Sequence, residues 1–216
     1  MNVFKFRMVF IVLITMILMG CSKLEKGKDI TVSIENVNNQ KVHKEKTEIK
    51  DEKYFFNKPE ATLKDASIEI YKSDRLLKFY EGDKVLGVFK IALGTHPLGH
   101  KKKEGDKKTP QGEYYICTRN DKSKYTLFLG LSYPNKVDAE NGYDANMITK
   151  SEYEEIGKSI DDKKAPSWNT KLGGAIGIHG GGADTDWTWG CIALSDDDIK
   201  ILWDYTNMGT RVLIYE

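Results

Sequence analysis

The chain has 216 residues, with 33 basic and 32 acidic side chains and a formal net charge of +1. That balance lacks the basic excess that nucleic-acid binding needs, so no nucleic-acid partner is expected. A hydrophobic share of 40% is enough for one domain with a real core.

The first elements concern location. Met1–Arg7 carries Lys5 and Arg7 and no acid, and an unbroken apolar run, Met8–Met19, follows. This is the charged start and apolar stretch of a secretory signal. The run is too short for a membrane span of roughly 20 residues. It ends in Leu18-Met19-Gly20-Cys21, which resembles a bacterial lipobox. That resemblance implies cleavage before Cys21 and its diacylation, and two or three acyl chains attach a protein firmly to a membrane. Residues 1–20 are therefore expected to be a lipoprotein signal peptide. The remainder is expected to be exported and membrane-anchored, facing the cell wall, in the outer membrane or periplasm if the cell has an outer membrane. Without Lys5 and Arg7 the mature chain holds 31 basic against 32 acidic side chains, about −1.

Residues 21–63 are rich in Lys, Glu, Asn and Asp. Such a segment buries too little apolar surface to fold alone, and it reads as a flexible charged tether. Ile30–Val37 alternates like a strand and is a local exception. From residue 64 to 216 the pattern is mostly strands. Ser67–Lys72, Leu76–Tyr80 and Val85–Leu93 form a meander with turns at Asp74 and Glu81-Gly82-Asp83. Tyr114–Thr118 and Leu127–Ser132 continue it. Ser151-Glu-Tyr-Glu154 has capping-box spacing and predicts a short helix. Ile176–Ile178 is a short strand leading to His179. Ser195 caps a helix whose apolar face is Ile199, Leu202 and Trp203, and Arg211–Tyr215 is a closing strand. The fold class is mostly β (α+β): a sandwich or mixed sheet with peripheral helices.

One His and one Cys stand out. His179-Gly180 is followed by Thr188-Trp189-Gly190-Cys191. Cysteine attacks carbonyls as thiolate, and a nearby His is the usual base. Gly190 lets the backbone come close to a substrate, and the N–H groups of Gly190 and Cys191 are natural donors for an oxyanion. The imidazole needs an acceptor on its other nitrogen. Asp184 and Asp186 are near in sequence, but the Gly180 carbonyl is the expected partner. Cys117, in an apolar strand, reads as a buried thiol, with a Cys117–Cys191 disulfide as the alternative in an oxidising compartment. Asp196–Asp198 read as helix caps, and Lys101–Lys103 as a solvated run. Pro97 and Gly99 exclude a His96–His100 pair on one helix face, so no metal site is expected.

These motifs resemble the L,D-transpeptidase catalytic domain (YkuD) family. His179-Gly180, Thr188-X-Gly-Cys191-Ile192, Thr109-Pro110-X-Gly112 and the closing Gly209–Ile214 are in family order, and the likeness spans nearly all of 67–216. Gly99–Asp106, Leu131–Asn135 and Asp186–Cys191 look like the YafK-type branch. The resemblance implies Cys191 as nucleophile and His179 as base, with Gly180 and Gly190 assisting. It implies peptidoglycan stem peptides as substrate and a wall-attached protein as a further partner; the residues suggest no cofactor. Thr188, Trp189 and His100 are expected to contact substrate, although Trp189 equally fits a packing role and His100 a plain loop position. Ala193 stands where the family often has Arg, and the His-to-Cys spacer is short. Three activities therefore stay open: transpeptidation, hydrolysis by the same site as a carboxypeptidase or amidase, and wall binding without catalysis.

Overall fold

The computed structural model describes residues 53–216. The signal peptide, Cys21, the Ile30–Val37 segment and the tether up to residue 52 lie outside the described residues. No helix among the described residues is long and apolar enough to cross a membrane.

The described residues form a curled mixed sheet of nine strands with three helices. The strands are β1 (Phe55–Phe56), β2 (Ala66–Tyr71), β3 (Leu76–Glu81), β4 (Lys84–Lys90), β5 (Gly112–Ser123), β6 (Thr126–Leu131), β7 (Gly177–His179), β8 (Ile192–Ala193) and β9 (Arg211–Tyr215). Their spatial order is β1-β4-β3-β2-β9-β5-β6-β7-β8. Most pairs are antiparallel, and β2–β9 and β7–β8 are parallel. Alternation sets the buried face: Ile68 and Ile70 on β2, Leu77 and Phe79 on β3, and Val212 and Ile214 on β9 all enter one core. Each such side chain stabilises the fold by roughly 1.5–3 kcal/mol through burial.

The ordered sheet begins before residue 64. Phe55 pairs with Val88, and the Phe56 ring lies 5.3 Å from Tyr205 and 6.2 Å from Phe89. Two aromatic residues are enough to hold this end of the expected tether on the edge strand.

Helix α1 (Lys136–Asp144) is not foreshadowed by apolar periodicity. It is set instead by a capping box between Asn135 and Asp138. Helix α2 (Lys150–Asp161) uses Thr149 and Glu152 for the same device, two residues before the expected Ser151 start. Both spacings satisfy the motif, and the earlier one wins. The pair packs around Ala139, Ile148, Ile156 and Leu172 in a second small core. Helix α3 (Asp196–Tyr205) is capped by Ser195 and lies against β6 and β7. At its C-terminal end Arg119 donates to the carbonyls of Trp203 and Thr206, at 2.6 and 2.5 Å. A fixed cation at that pole suits the helix dipole.

Candidate active site

Strand β7 lies between β6 and β8, with His179 opposite Phe128 and Ala193. The imidazole is buried. It stacks on Tyr125 with 4.6 Å between centroids, and the Trp187 ring meets it edge-on at 5.5 Å. His179 Nδ1 lies 2.6 Å from the Gly180 carbonyl oxygen. A carbonyl only accepts, so Nδ1 carries the proton and Nε2 holds a free lone pair. Burial pushes the imidazole below its ordinary 6.5, against the raising effect of that carbonyl. The ring is neutral at pH 7.

Neither nearby acid reaches this ring. Asp184 pairs with Lys90 at the surface. Asp186 receives Arg75 on both oxygens, at 2.6–3.1 Å, and the Leu93 N–H at 2.8 Å. It therefore fastens the loop before Cys191 to the sheet. Asp196 is more than a helix cap. Its carboxylate accepts from Gly181 N–H (2.9 Å) and the Thr126 hydroxyl (2.7 Å), tying the loop after His179 to the β5–β6 turn.

The Cys191 turn is built by Thr188. Its hydroxyl donates to the Cys191 carbonyl at 2.7 Å and accepts the Gly190 N–H at 3.1 Å. Thr188 is buried, and its hydroxyl serves the turn as donor to one end and acceptor from the other. The same bond occupies one of the two expected oxyanion donors, the Gly190 N–H. Among the described residues the Cys191 N–H has no hydrogen-bond partner. Gly190 has φ +131°, and an added Cβ would meet the Lys108 carbonyl oxygen at 2.6 Å. Only glycine fits there.

Cys191 lies two residues before Ala193, which is level with His179 in the parallel β7–β8 pair. The cysteine turn therefore leads directly into the strand paired with the one that ends in His179. Among the described residues no hydrogen bond joins sulfur and imidazole. The thiol donates instead to the Ala175 carbonyl at 3.5 Å, and Ala175 holds the left-handed φ of +51°, a strained position for a residue with a Cβ. Burial raises the Cys191 thiol to about 11, against the lowering effects of the Gly177 N–H and the Lys101 charge. Cys117 is raised to about 12 by burial, and both cysteines are free.

The remaining expected residues separate. Trp189 is 71% exposed beside the cysteine, with the Lys107 ammonium 5.1 Å from its ring centre. It is no packing residue. His100 lies in a cavity of about 310 Å³ with Tyr133, Asp138 and Leu172. Its Nδ1 accepts from Gln111 N–H and its Nε2 faces Asp138, both at 2.9 Å.

The solvated reading of Lys101–Lys103 holds for Lys102 and Lys103 and fails for Lys101, whose side chain is 1% exposed. Its ammonium donates to Asp106 (3.0 Å) and to the Lys103 carbonyl (2.9 Å). Asp106 also collects the N–H groups of Lys102, Lys103 and Lys108. These bonds, together with Lys101, hold its carboxyl below the usual range against burial. The signal in the sequence was Asp106, an acid whose charge draws one of three lysines inward.

The nine-stranded sheet, with the Gly-Cys turn beside the strand that ends in His179, is that of an L,D-transpeptidase catalytic domain. The profile of that domain family, YkuD, matches residues 65–214, and the chain belongs to the family. Over 88 residues the chain is 32% identical to the Escherichia coli K12 protein named "Putative L,D-transpeptidase YafK", covering 38% of this chain and 35% of that one. A mutant form of the helical cell shape determining protein Pgp2 from Campylobacter jejuni is similar in structure. It has a TM-score of 0.51 and 24% identity, over 76% of this chain and 49% of that one. A second structure of Pgp2 gives 0.49 and 26%, over 70% and 47%. The chain thus spans about a third of YafK and half of Pgp2.

Proposed function

We propose that the protein is an exported, lipid-anchored cysteine acyltransferase acting on peptidoglycan stem peptides. In this reading residues 1–20 direct export, Cys21 carries the lipid, and the tether lets the catalytic domain reach the wall. The supporting observation is the His179 Nδ1–Gly180 bond of 2.6 Å. It leaves Nε2 as a free base on the strand that pairs with the one following Cys191.

The pair rests neutral, so His179 acts as a general base during attack. The Cys191 proton moves to His179 Nε2 as sulfur leaves the Ala175 carbonyl and bonds to the carbon of the amide between the third residue and the terminal D-residue. The developing oxyanion takes the Cys191 N–H; one such donor contributes on the order of 10²–10³ in rate. Collapse breaks the C–N bond. The departing amine receives the proton from Nε2, and the acyl group remains as a Cys191 thioester. An amine of a second stem, or of a wall-attached protein, then yields its proton to His179 and attacks the thioester, and the thiol is restored. Water in place of the amine makes the same site a hydrolase. Trp189, exposed beside the sulfur, supplies a face for the incoming chain.

The test incubates the full chain with isolated peptidoglycan beside Cys191→Ala and identifies muropeptides by liquid chromatography and mass. New dimers linked through the third residue, or exchange of the terminal D-residue, establish the transferase. Tetrapeptides trimmed to tripeptides establish the hydrolase. Products identical to those of the mutant overturn both and leave wall binding without catalysis.

A further inference from the structure

The cavity beside His100 has no part in the proton transfers above. Its walls are of two kinds. Tyr133, Met147 and Leu172 are apolar, while Lys101 and Lys102 bring positive charge and Asp138 brings negative charge. The acid is already answered. Asp138 receives His100 Nε2 (2.9 Å), the Tyr114 hydroxyl (3.0 Å) and the Asn135 N–H (2.8 Å). The cations are less fully answered. An ammonium has three donors; Lys101 uses two in hydrogen bonds, and among the described residues the third has no hydrogen-bond acceptor, the Tyr133 ring centre lying 5.8 Å from the nitrogen. Its counter-ion Asp106 is shared with three backbone N–H groups. Lys102 is exposed and in no ion pair among the described residues. A buried cation with a spare donor favours an anion that can exclude water with it.

The cavity is close to the sulfur. Leu172, in its wall, is three residues from Ala175, whose carbonyl accepts from the Cys191 thiol. Three residues span at most about 10 Å. The loop that carries Lys101 is joined to this segment by Glu104 N–H and the Lys171 carbonyl, at 2.9 Å. About 310 Å³ is room for a side chain or a chain end, not for a whole peptide.

We propose that this cavity is a subsite for an aliphatic carboxylate of the acyl donor, with Lys101 as its specificity-determining cation. The proposal rests on the peptide-acylating function given above. The apolar wall takes the methylene part, and the spare Lys101 donor with the Lys102 charge takes the carboxylate. Two carboxylates on a stem donor have this chemistry, the chain end and a side chain at the third residue.

The test needs no turnover. The full chain carrying Cys191→Ala is titrated calorimetrically with stem tetrapeptides that have diaminopimelate as third residue. With the carboxylate of the second residue amidated throughout, one has the other two carboxylates free, one is amidated at the chain end, one at the third side chain, and one at both. Amidation of the group that enters the cavity is expected to raise Kd at least tenfold, and amidation of the other to change it by less than threefold. Adding Lys101→Met should abolish that difference, and Lys101→Arg should restore part of it. Equal binding of all four peptides, no binding of any, or discrimination that survives Lys101→Met overturns the assignment. The four-peptide comparison is made with Lys101 intact, so it stands even if Lys101→Met does not fold. Failure here with muropeptide products still formed refutes only the subsite; loss of those products refutes the function itself.

Discussion

The neutral state of the Cys191–His179 pair makes a prediction that separates two kinds of cysteine enzyme. A preformed thiolate–imidazolium pair alkylates readily below pH 7. Here burial raises the thiol to about 11 and pushes the imidazole below 6.5, so proton transfer at rest is uphill. Against an ordinary thiol near 8.5, a pKa of 11 leaves about 300-fold less thiolate at pH 7.5. The more basic thiolate is the better nucleophile, which recovers about tenfold. Net alkylation should be about 30-fold slower than for free cysteine. The assay is iodoacetamide labelling of the full chain from pH 5 to 11, quantified on the Cys191 peptide by mass spectrometry so that Cys21 and Cys117 do not interfere. The rate should climb with pH without a plateau below about 10, and His179→Ala should leave that curve nearly unchanged. Acylation by a stem peptide should behave in the opposite way, falling about 10²–10⁴-fold in the same mutant, because only there does the imidazole take the proton. An alkylation curve that inflects below pH 7, or an inflection that moves in His179→Ala, refutes the neutral-pair reasoning.

Other outcomes follow from single contacts. Gly190→Ala forces a Cβ against the Lys108 carbonyl at a positive φ; thermal melts should show a loss of about 1–3 kcal/mol, with acylation abolished. Asp186→Asn keeps the shape but weakens the bonds to Arg75 and Leu93, and denaturant titration should show a loss of about 2 kcal/mol. Trp189→Ala removes a side chain 71% exposed, so the melting temperature should hold while KM for stem peptide rises severalfold. Because His179 is held below its unfolded pKa, the unfolded chain binds the extra proton first. Its contribution to stability is complete above pH 6.5 and declines as pH falls below that value. His179→Gln should flatten that part of the stability–pH curve.

Elements governed by local pattern were legible in the sequence. The alternation of Ile68 and Ile70, and of Val212 and Ile214, marks strands that the structure places side by side, and Ser195 starts the last helix. Legibility fails where a long-range partner decides. Nothing local in Phe55-Phe56 says that β4 will take it as an edge strand. Helix α1 has caps but little amphipathic pattern, because it buries only Asp138, Ala139 and Gly142. In the site, Gly180 was readable as the His179 partner because the two are adjacent. The assignment of Thr188 and the Gly190 N–H was not, since a hydroxyl reaching both ends of its own turn looks in sequence like a hydroxyl facing substrate.

The placement of Lys101 shows why the rest was hidden. Three successive lysines look equivalent, and the default for each is solvent. Asp106 breaks that equivalence: its carboxylate gathers three backbone N–H groups and one ammonium, and the loop folds around it. The same loop sets the Lys108 carbonyl against Gly190 and the Lys107 carbonyl against Gly94. One acid thus fixes a buried charge near the sulfur and the backbone that forces glycine beside it. Neutralising that acid should disturb both at once. Asp106→Asn keeps an acceptor for the backbone N–H groups but leaves the Lys101 ammonium without a counter-charge, so carboxylate discrimination and the Cys191 turn should weaken together. A variant that lost one and kept the other would show that the loop is not a single unit.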